Sequence, residues 1–279
     1  MARLFALIGN RPDLGPRLLA SESEALRAHS KGAPLGWGIG FYQAGEVLMR
    51  RRPIDERPVI DIAAWSTDVR ADLVVGHVRN ATVGGLRTEN THPFRYRQWM
   101  FVQTGTITHF DQIHDRLLAS VPEFLRAGIR GDTDSELLFY VFLSFLHDAG
   151  HLNQGVDDPP MVREALRATI AVIDGMTAEV GGDPAPLNLV VTNGEFVVAV
   201  HRSTEDRAMR YRTYAGRGDA EHLIGDDLAL KRKIPEVAGM HFALLASDFD
   251  EPPSTRWKPI AERAIVTLTR GQEPQIEKL

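Results

Sequence analysis

The sequence predicts an α+β fold built on antiparallel sheets, and three observations carry the prediction. Strand-like runs crowd the early part of the chain, helical patterning fills the middle, and strands return towards the end. That order favours antiparallel sheets with segregated helices over alternating βαβ units. The clearest local signal is "LNLVVTNGEFVVAVHR", where two β-branched runs flank Asn193-Gly194, the favoured pair for a tight hairpin turn. The third observation is the opening stretch "MARLFALIGN", an apolar strand beside the initiator Met1. Termini usually fray unless something ties them down. Removal of Met1 before the small Ala2 makes residue 2 the expected first residue, a place where some enzymes keep a nucleophile with its own α-amine as base.

Each element follows from its pattern. After "RLFALIG" a polar, helix-compatible segment runs from about Pro12 to Ser30. "GWGIGFYQAGEVLMRR" reads as a hairpin through "QAGE". "DLVVGHVRNAT" is a buried strand entering the glycine-rich loop "VGGLRTENTHPF", and "QWMFVQTGTI" is another strand, broken near its end by Thr-Gly. From His109 to Leu125 apolar residues recur at Phe110, Ile113, Leu117, Leu118, Val121 and Leu125, close to the helical period. "GDTDSELLFYVFLSFL" opens with a helix start in which Asp132 or Thr133 can cap. Its nearly continuous apolar body predicts packing on more than one side. "PPMVREALRATIAVIDGM" is a second helix behind Pro159 and Pro160, and strands follow at "AMRYRTYAG", "HFALLAS" and "RAIVTLTR". "GGDPAP" and "DEPPSTRWKP" read as surface loops, which leaves one domain over residues 1–279.

Composition narrows the function classes. The 279 residues carry a net charge of −5, with 43% hydrophobic and 25% charged residues. No basic excess is present to neutralise phosphates, so nucleic acid is not an expected partner. No apolar run approaches the roughly 18–20 residues of a membrane span, and no secretory signal precedes the first strand, so the expected location is cytoplasmic. The chain has no cysteine, which excludes disulfides, thiolate metal sites and a thiol nucleophile. His147 and His151 have metal-pair spacing, but Gly150 ends the helix between them and no third ligand follows. The run Lys231 to Lys233 reads as a solvated face. "SDFDEPP" lacks the glycine and terminal glutamate of a calcium loop and reads as structure. With no lysine-bearing phosphate loop either, neither cofactor nor metal is expected.

Four short segments join glycine, a polar group and a strand end: Gly36-Trp37-Gly38, "GHVRNATVG", "THPF" and "QTGTI". Singly each reads as a turn. In their joint order they resemble the class II glutamine amidotransferases, N-terminal-nucleophile hydrolases that release ammonia from glutamine. The likeness is to the stand-alone branch, starts at residue 2 and continues through the "LNLVVTNGEFVVAV" hairpin and the "LLASDFDEPPSTRWKPI" tail. It implies a four-layer αββα sandwich of two antiparallel sheets. It also implies a pocket for glutamine or a γ-glutamyl small molecule, with a partner synthase or a homologous subunit as macromolecular partner.

Carried over by position, Arg79 matches the arginine that pairs with the glutamine α-carboxylate, a task suited to its planar fork. Thr82 matches an added hydroxyl donor, and Asp134 the carboxylate that receives the substrate ammonium. Trp37 and His92 match positions that shape the pocket floor and brace the substrate loop.

The catalytic half departs from the pattern. Where the family has the nucleophilic cysteine this chain has Ala2, and where it has a strand-end His-Asn-Gly this chain has Gln103-Thr104-Gly105. Only the Gly105 oxyanion donor is kept, and one lost donor costs about 2.7–4 kcal/mol in the barrier. Asn80 belongs to the carboxylate loop and is no replacement. A substitution engineered at residue 2 explains Ala2 but not Gln103 and Thr104. Natural loss of chemistry with a retained pocket explains all three and is the favoured reading. Recruitment of Thr104 or Thr106 as a hydroxyl nucleophile lacks an adjacent base in the sequence. A binding or scaffold role, sensing an amino-acid metabolite, is the alternative from another class.

Overall fold

The computed structural model describes residues 2–152, 158–203, 207–232 and 234–279; Met1 and Lys233, the end of the basic run, lie outside them. In chain order the strands are β1 (Arg3–Gly9), β2 (Ala28–His29), β3 (Leu35–Gln43), β4 (Glu46–Asp55), β5 (Val59–Ile60), β6 (Leu73–Arg79), β7 (Phe94–Tyr96) and β8 (Trp99–Gly105). They continue as β9 (Leu187–Thr192), β10 (Phe196–Arg202), β11 (Met209–Ala215), β12 (His241–Ser247), β13 (Lys258–Pro259), β14 (Ala264–Thr269) and β15 (Gln275–Lys278). One sheet has the order β13-β11-β12-β1-β6-β3-β4, the other β15-β14-β10-β9-β8-β7, and β2 pairs with β5 alone. Neighbouring strands run antiparallel in both sheets.

Side-chain alternation builds the layers. Along β1, Leu4, Ala6 and Ile8 face the second sheet and meet Met100, Val102, Val190 and Ala199. Phe5 and Leu7 point the other way, onto Leu14 and Leu18 and onto Leu223 of the helix Gly216–Ile224. The far face of the second sheet, with Phe101, Leu189 and Val198, packs on the helices Phe110–Ser120, Asp134–Asp148 and Pro159–Glu179. The result is the four-layer αββα sandwich. Leu4, Phe5, Leu7 and Ile8 are all buried. At roughly 2 kcal/mol per buried side chain they tie down a segment that would otherwise fray.

Some elements depart from the sequence reading. The expected helix from Pro12 to Ser30 is two short pieces, Gly15–Ser21 and Ser23–Leu26, followed by the β2 bridge. The helix expected to reach Leu125 stops at Ser120; a separate turn, Glu123–Arg126, starts after Pro122, whose ring cannot continue the first helix. The turn at Asn193-Gly194 is wider than two residues, because Thr192 pairs with Val197. There the Thr192 hydroxyl donates to Phe196 O at 2.6 Å and accepts the Gly194 N–H at 3.1 Å. Gly194 has φ +97°, and a Cβ there would lie 2.8 Å from the Tyr42 ring. "DEPPSTRWKP" is no free surface loop: Trp257 is buried and donates to Glu22 at 2.8 Å. Of the two candidate caps, Thr133 serves, accepting the Glu136 N–H at 3.2 Å.

Candidate functional site

The antiparallel registers bring four strand ends to one place. Arg3 pairs with Val78, and Phe5 with both Gly76 and Ala246. The start of β1 therefore lies between the ends of β6 and β12. The end of β8 and the first turn of the helix Asp134–Asp148 close the opposite side. Between them lies a cavity of about 120 Å³ lined by Ala2, Arg79, Thr82, His92, Thr104, Gly105 and Asp134, and also by His77, Arg207 and Asp248.

Arg79 is buried at the end of β6. Its guanidinium donates to Val83 O at 2.6 Å, Gly84 O at 3.1 Å and Gly85 O at 3.1 Å, so it shapes the loop that follows it. Five guanidinium donors less these three leave two for a ligand. Thr82 and Thr106 share a hydroxyl hydrogen bond of 2.8 Å across the cavity mouth. The Asp134 carboxylate accepts Ile107 N–H at 2.8 Å and Ser135 N–H at 2.9 Å. Burial pushes its carboxyl above the ordinary carboxylate range, while those N–H groups pull it back.

Gly105 has φ +112°, and a Cβ there would sit 2.0 Å from Pro186 O, so no other residue fits that bend. Gln103 turns to the helix side, where it accepts the Ser135 hydroxyl and donates to Gly105 O at 3.1 Å. Thr104 faces the space between the sheets, and its Oγ1 donates to Asp248 Oδ2 at 2.7 Å. Asp248 also accepts the Ser247 hydroxyl and lies 3.5 Å from Asn188 Nδ2. Burial pushes its carboxyl up as well, with these donors and Arg207 opposing.

Trp37, expected on the pocket floor, is placed elsewhere. It pairs with Val78, so it shares the helix-facing side of the sheet while His77 and Arg79 take the other. There it stacks on Trp65 at 3.9 Å and donates to Asp55 at 2.9 Å. His92 does reach the cavity, packed 4.2 Å from the His77 ring and 4.5 Å from Phe94. Neither His92 ring nitrogen has a hydrogen-bond partner among the described residues, and the His77 ring has only a weak backbone contact with Gln103.

Burial, with the nearby Arg79 charge, holds His77 down to about 3 from an ordinary 6.5. Between those values the unfolded chain binds the extra proton, so stability is lost as pH falls from 6.5 towards 3. At ~1.4 kcal/mol per unit this amounts to a few kcal/mol. Asp134 and Asp248, raised from 3.8 by burial, act in the opposite sense above 3.8. Urea titrations are expected to show a falling midpoint below pH 6.5. His92, also held well below 6.5 by burial, contributes in the same sense, so His77→Leu alone is expected to reduce that slope and His77→Leu with His92→Leu to flatten it.

With this geometry in hand, the architecture and the cavity at the chain's first strand define the class: an Ntn-hydrolase-type αββα domain. The family model "Glutamine amidotransferases class-II" matches residues 1–278, and the chain belongs to that family. It is 30% identical over 177 residues to the "Probable glutamine amidotransferase DUG3" of Saccharomyces cerevisiae, covering 58% of this chain and 50% of that protein. The matches span from 31% to 65% of the length of its curated relatives. A glutamine aminotransferase class-II domain protein of Silicibacter pomeroyi superposes with a TM-score of 0.59 at 17% identity, covering 99% and 98% of the two chains. The glutamine phosphoribosylpyrophosphate amidotransferase of B. subtilis superposes at 0.56 and 11% identity over 99% of this chain and 49% of that one. These two likenesses are of fold.

Sequence reasoning passed over Asp248, His77, Ser135 and Arg207. For Asp248 the signal was present: it follows the strand "HFALLAS" directly, as Gly105 closes "QWMFVQTG". Among the described residues no helix is long and apolar enough to cross a membrane.

Proposed function

We propose that this chain is a single class II glutamine amidotransferase-like domain over residues 1–279. In this reading it binds the α-amino-acid end of glutamine or a γ-glutamyl compound and has lost the hydrolytic step. Arg79 takes the α-carboxylate with its two remaining donors, Asp134 takes the α-ammonium, and the Thr82–Thr106 pair frames the mouth. His92 walls the far end. The observation that carries the loss of chemistry is the Thr104 hydroxyl turned onto the Asp248 carboxylate at 2.7 Å. A tetrahedral intermediate needs donors where negative charge develops. A carboxylate that consumes the one hydroxyl there opposes that charge, and only the Gly105 N–H remains in the donor role. Ala2 offers a methyl group where a thioester would need sulfur.

The expected result is ammonia release from glutamine no faster than the blank, with micromolar to millimolar binding of glutamine by calorimetry. Turnover of even one per second would overturn the reading. Glutamine binding without turnover favours a metabolite sensor that works in the cytoplasm, alone or beside a synthase or an active homologous subunit. A chain that binds no amino acid at all is a scaffold.

A further inference from the structure

The distal end of the cavity differs in chemistry from one built for a carboxamide under attack. A site that stabilises an oxyanion presents hydrogen-bond donors at the point where the carbonyl oxygen becomes charged. Here Asp248, 3% exposed, presents a carboxylate to that space, held by the Thr104 and Ser247 hydroxyls. Beside it are the His77 and His92 rings, 2% and 3% exposed; the His92 nitrogens find no partner among the described residues, and the His77 ring has only a weak backbone contact with Gln103. Polar atoms this deeply buried are satisfied in nearly all proteins, and unpaired ones call for a ligand or water. Neutral imidazoles offer acceptors as well as donors, and the Ala2 side chain brings no nucleophile to the wall. Arg207 lines the same cavity and its charge reaches Asp248, but Arg207 is exposed and shares its charge with solvent, whereas the Asp248 carboxylate is buried.

We propose that the cavity prefers an α-amino acid whose side chain ends in a protonated amine, of the ornithine or lysine class, with Asp248 as the counter-charge for that distal ammonium. This rests on the assignment of Arg79 and Asp134 to the α-amino-acid end and sets the chemistry of the other end. An ammonium donates up to three hydrogen bonds and accepts none. It therefore matches a wall made of one carboxylate, a hydroxyl oxygen and imidazole nitrogens. A distal carboxylate, as in glutamate, meets Asp248 as a like charge. Burying a cation is favourable only where a charged partner and further hydrogen bonds await it, and these residues provide both.

Calorimetry on the intact chain tests this with four ligands: ornithine, norvaline (the same side chain without its amine), glutamine and glutamate. Ornithine is expected to bind at least tenfold tighter than norvaline and tighter than glutamine, with glutamate weakest. Asp248→Asn, which keeps the shape and removes the charge, is expected to cost ornithine at least tenfold. The norvaline comparison needs no variant, so it decides the matter even if Asp248→Asn does not fold. Glutamine binding tighter than ornithine, or equal ornithine and norvaline affinities, overturns the distal assignment while leaving the α-amino-acid end intact. Binding of none of the four, or equal binding by wild type and Asp134→Asn, overturns both.

Discussion

Replacing Glu22 with alanine is expected to lower the free energy of unfolding by about 3–5 kcal/mol, the cost of leaving a buried charge without its partner. Glu22 is 6% exposed and receives three donors on one carboxylate. Arg212 and the Tyr214 hydroxyl share one oxygen, and Trp257 Nε1 reaches the other at 2.8 Å. Arg212, itself 6% exposed, stands over the Tyr214 ring at 4.3 Å and loses its counter-charge when Glu22 is truncated. The carboxylate thus ties the segment between two short helices to β11 and to the C-terminal tail. Trp257 also packs edge-on to Phe249 at 5.3 Å, next to the cavity residue Asp248. The measurement is the urea midpoint at pH 7, with Glu22→Gln as companion. That variant keeps the acceptor oxygen, loses the charge, and is expected to lose less. A change below about 1 kcal/mol for Glu22→Ala would mean that the network is no better than a surface pair.

The same residues show what a sequence makes visible. Alternation is legible: "RLFALIG" and "DLVVGHVR" each read as strands, and the structure gives each a helix-facing and a sheet-facing side. Placement of both Arg79 and Asp134 on one cavity follows from the resemblance, because a strand end and a helix start distant in sequence meet only through the sheet order. Glu22 carries no local signal at all. It lies inside a stretch expected to be one helix, and its three partners come from residues 212, 214 and 257. The side of the sheet taken by Trp37 was out of reach, since it depends on a pairing register with β6 that reverses if shifted by one residue. Asp248 was passed over for a different reason. Its tail was set aside as a failed calcium loop, whereas its chemistry comes from Thr104, 144 residues away in the chain.

Restoring sulfur at position 2 is expected to be insufficient, and this separates a single lesion from two. In Ala2→Cys the thiolate can attack the glutamine carbonyl carbon. The C–S bond forms, the carbonyl oxygen takes the negative charge, and the amide nitrogen must leave as ammonia with a proton. In the proposed reading, with Thr104 donating to Asp248, that oxygen is left the Gly105 N–H in place of the family's two donors. Ala2→Cys alone is therefore expected to release ammonia slowly. Ala2→Cys combined with Thr104→Asn supplies an amide donor, and one regained oxyanion donor is worth about 10²–10³ in turnover. An ammonia assay on both variants reads the ratio, and intact mass must first confirm that Met1 has been removed so that the α-amine is free to act as base. Equal rates in the two variants would make Ala2 the sole lesion and Thr104 a tolerated neighbour. No activity in either, with glutamine still bound, would shift the cause to the Asp248 charge, which Asp248→Asn added to the double variant then removes.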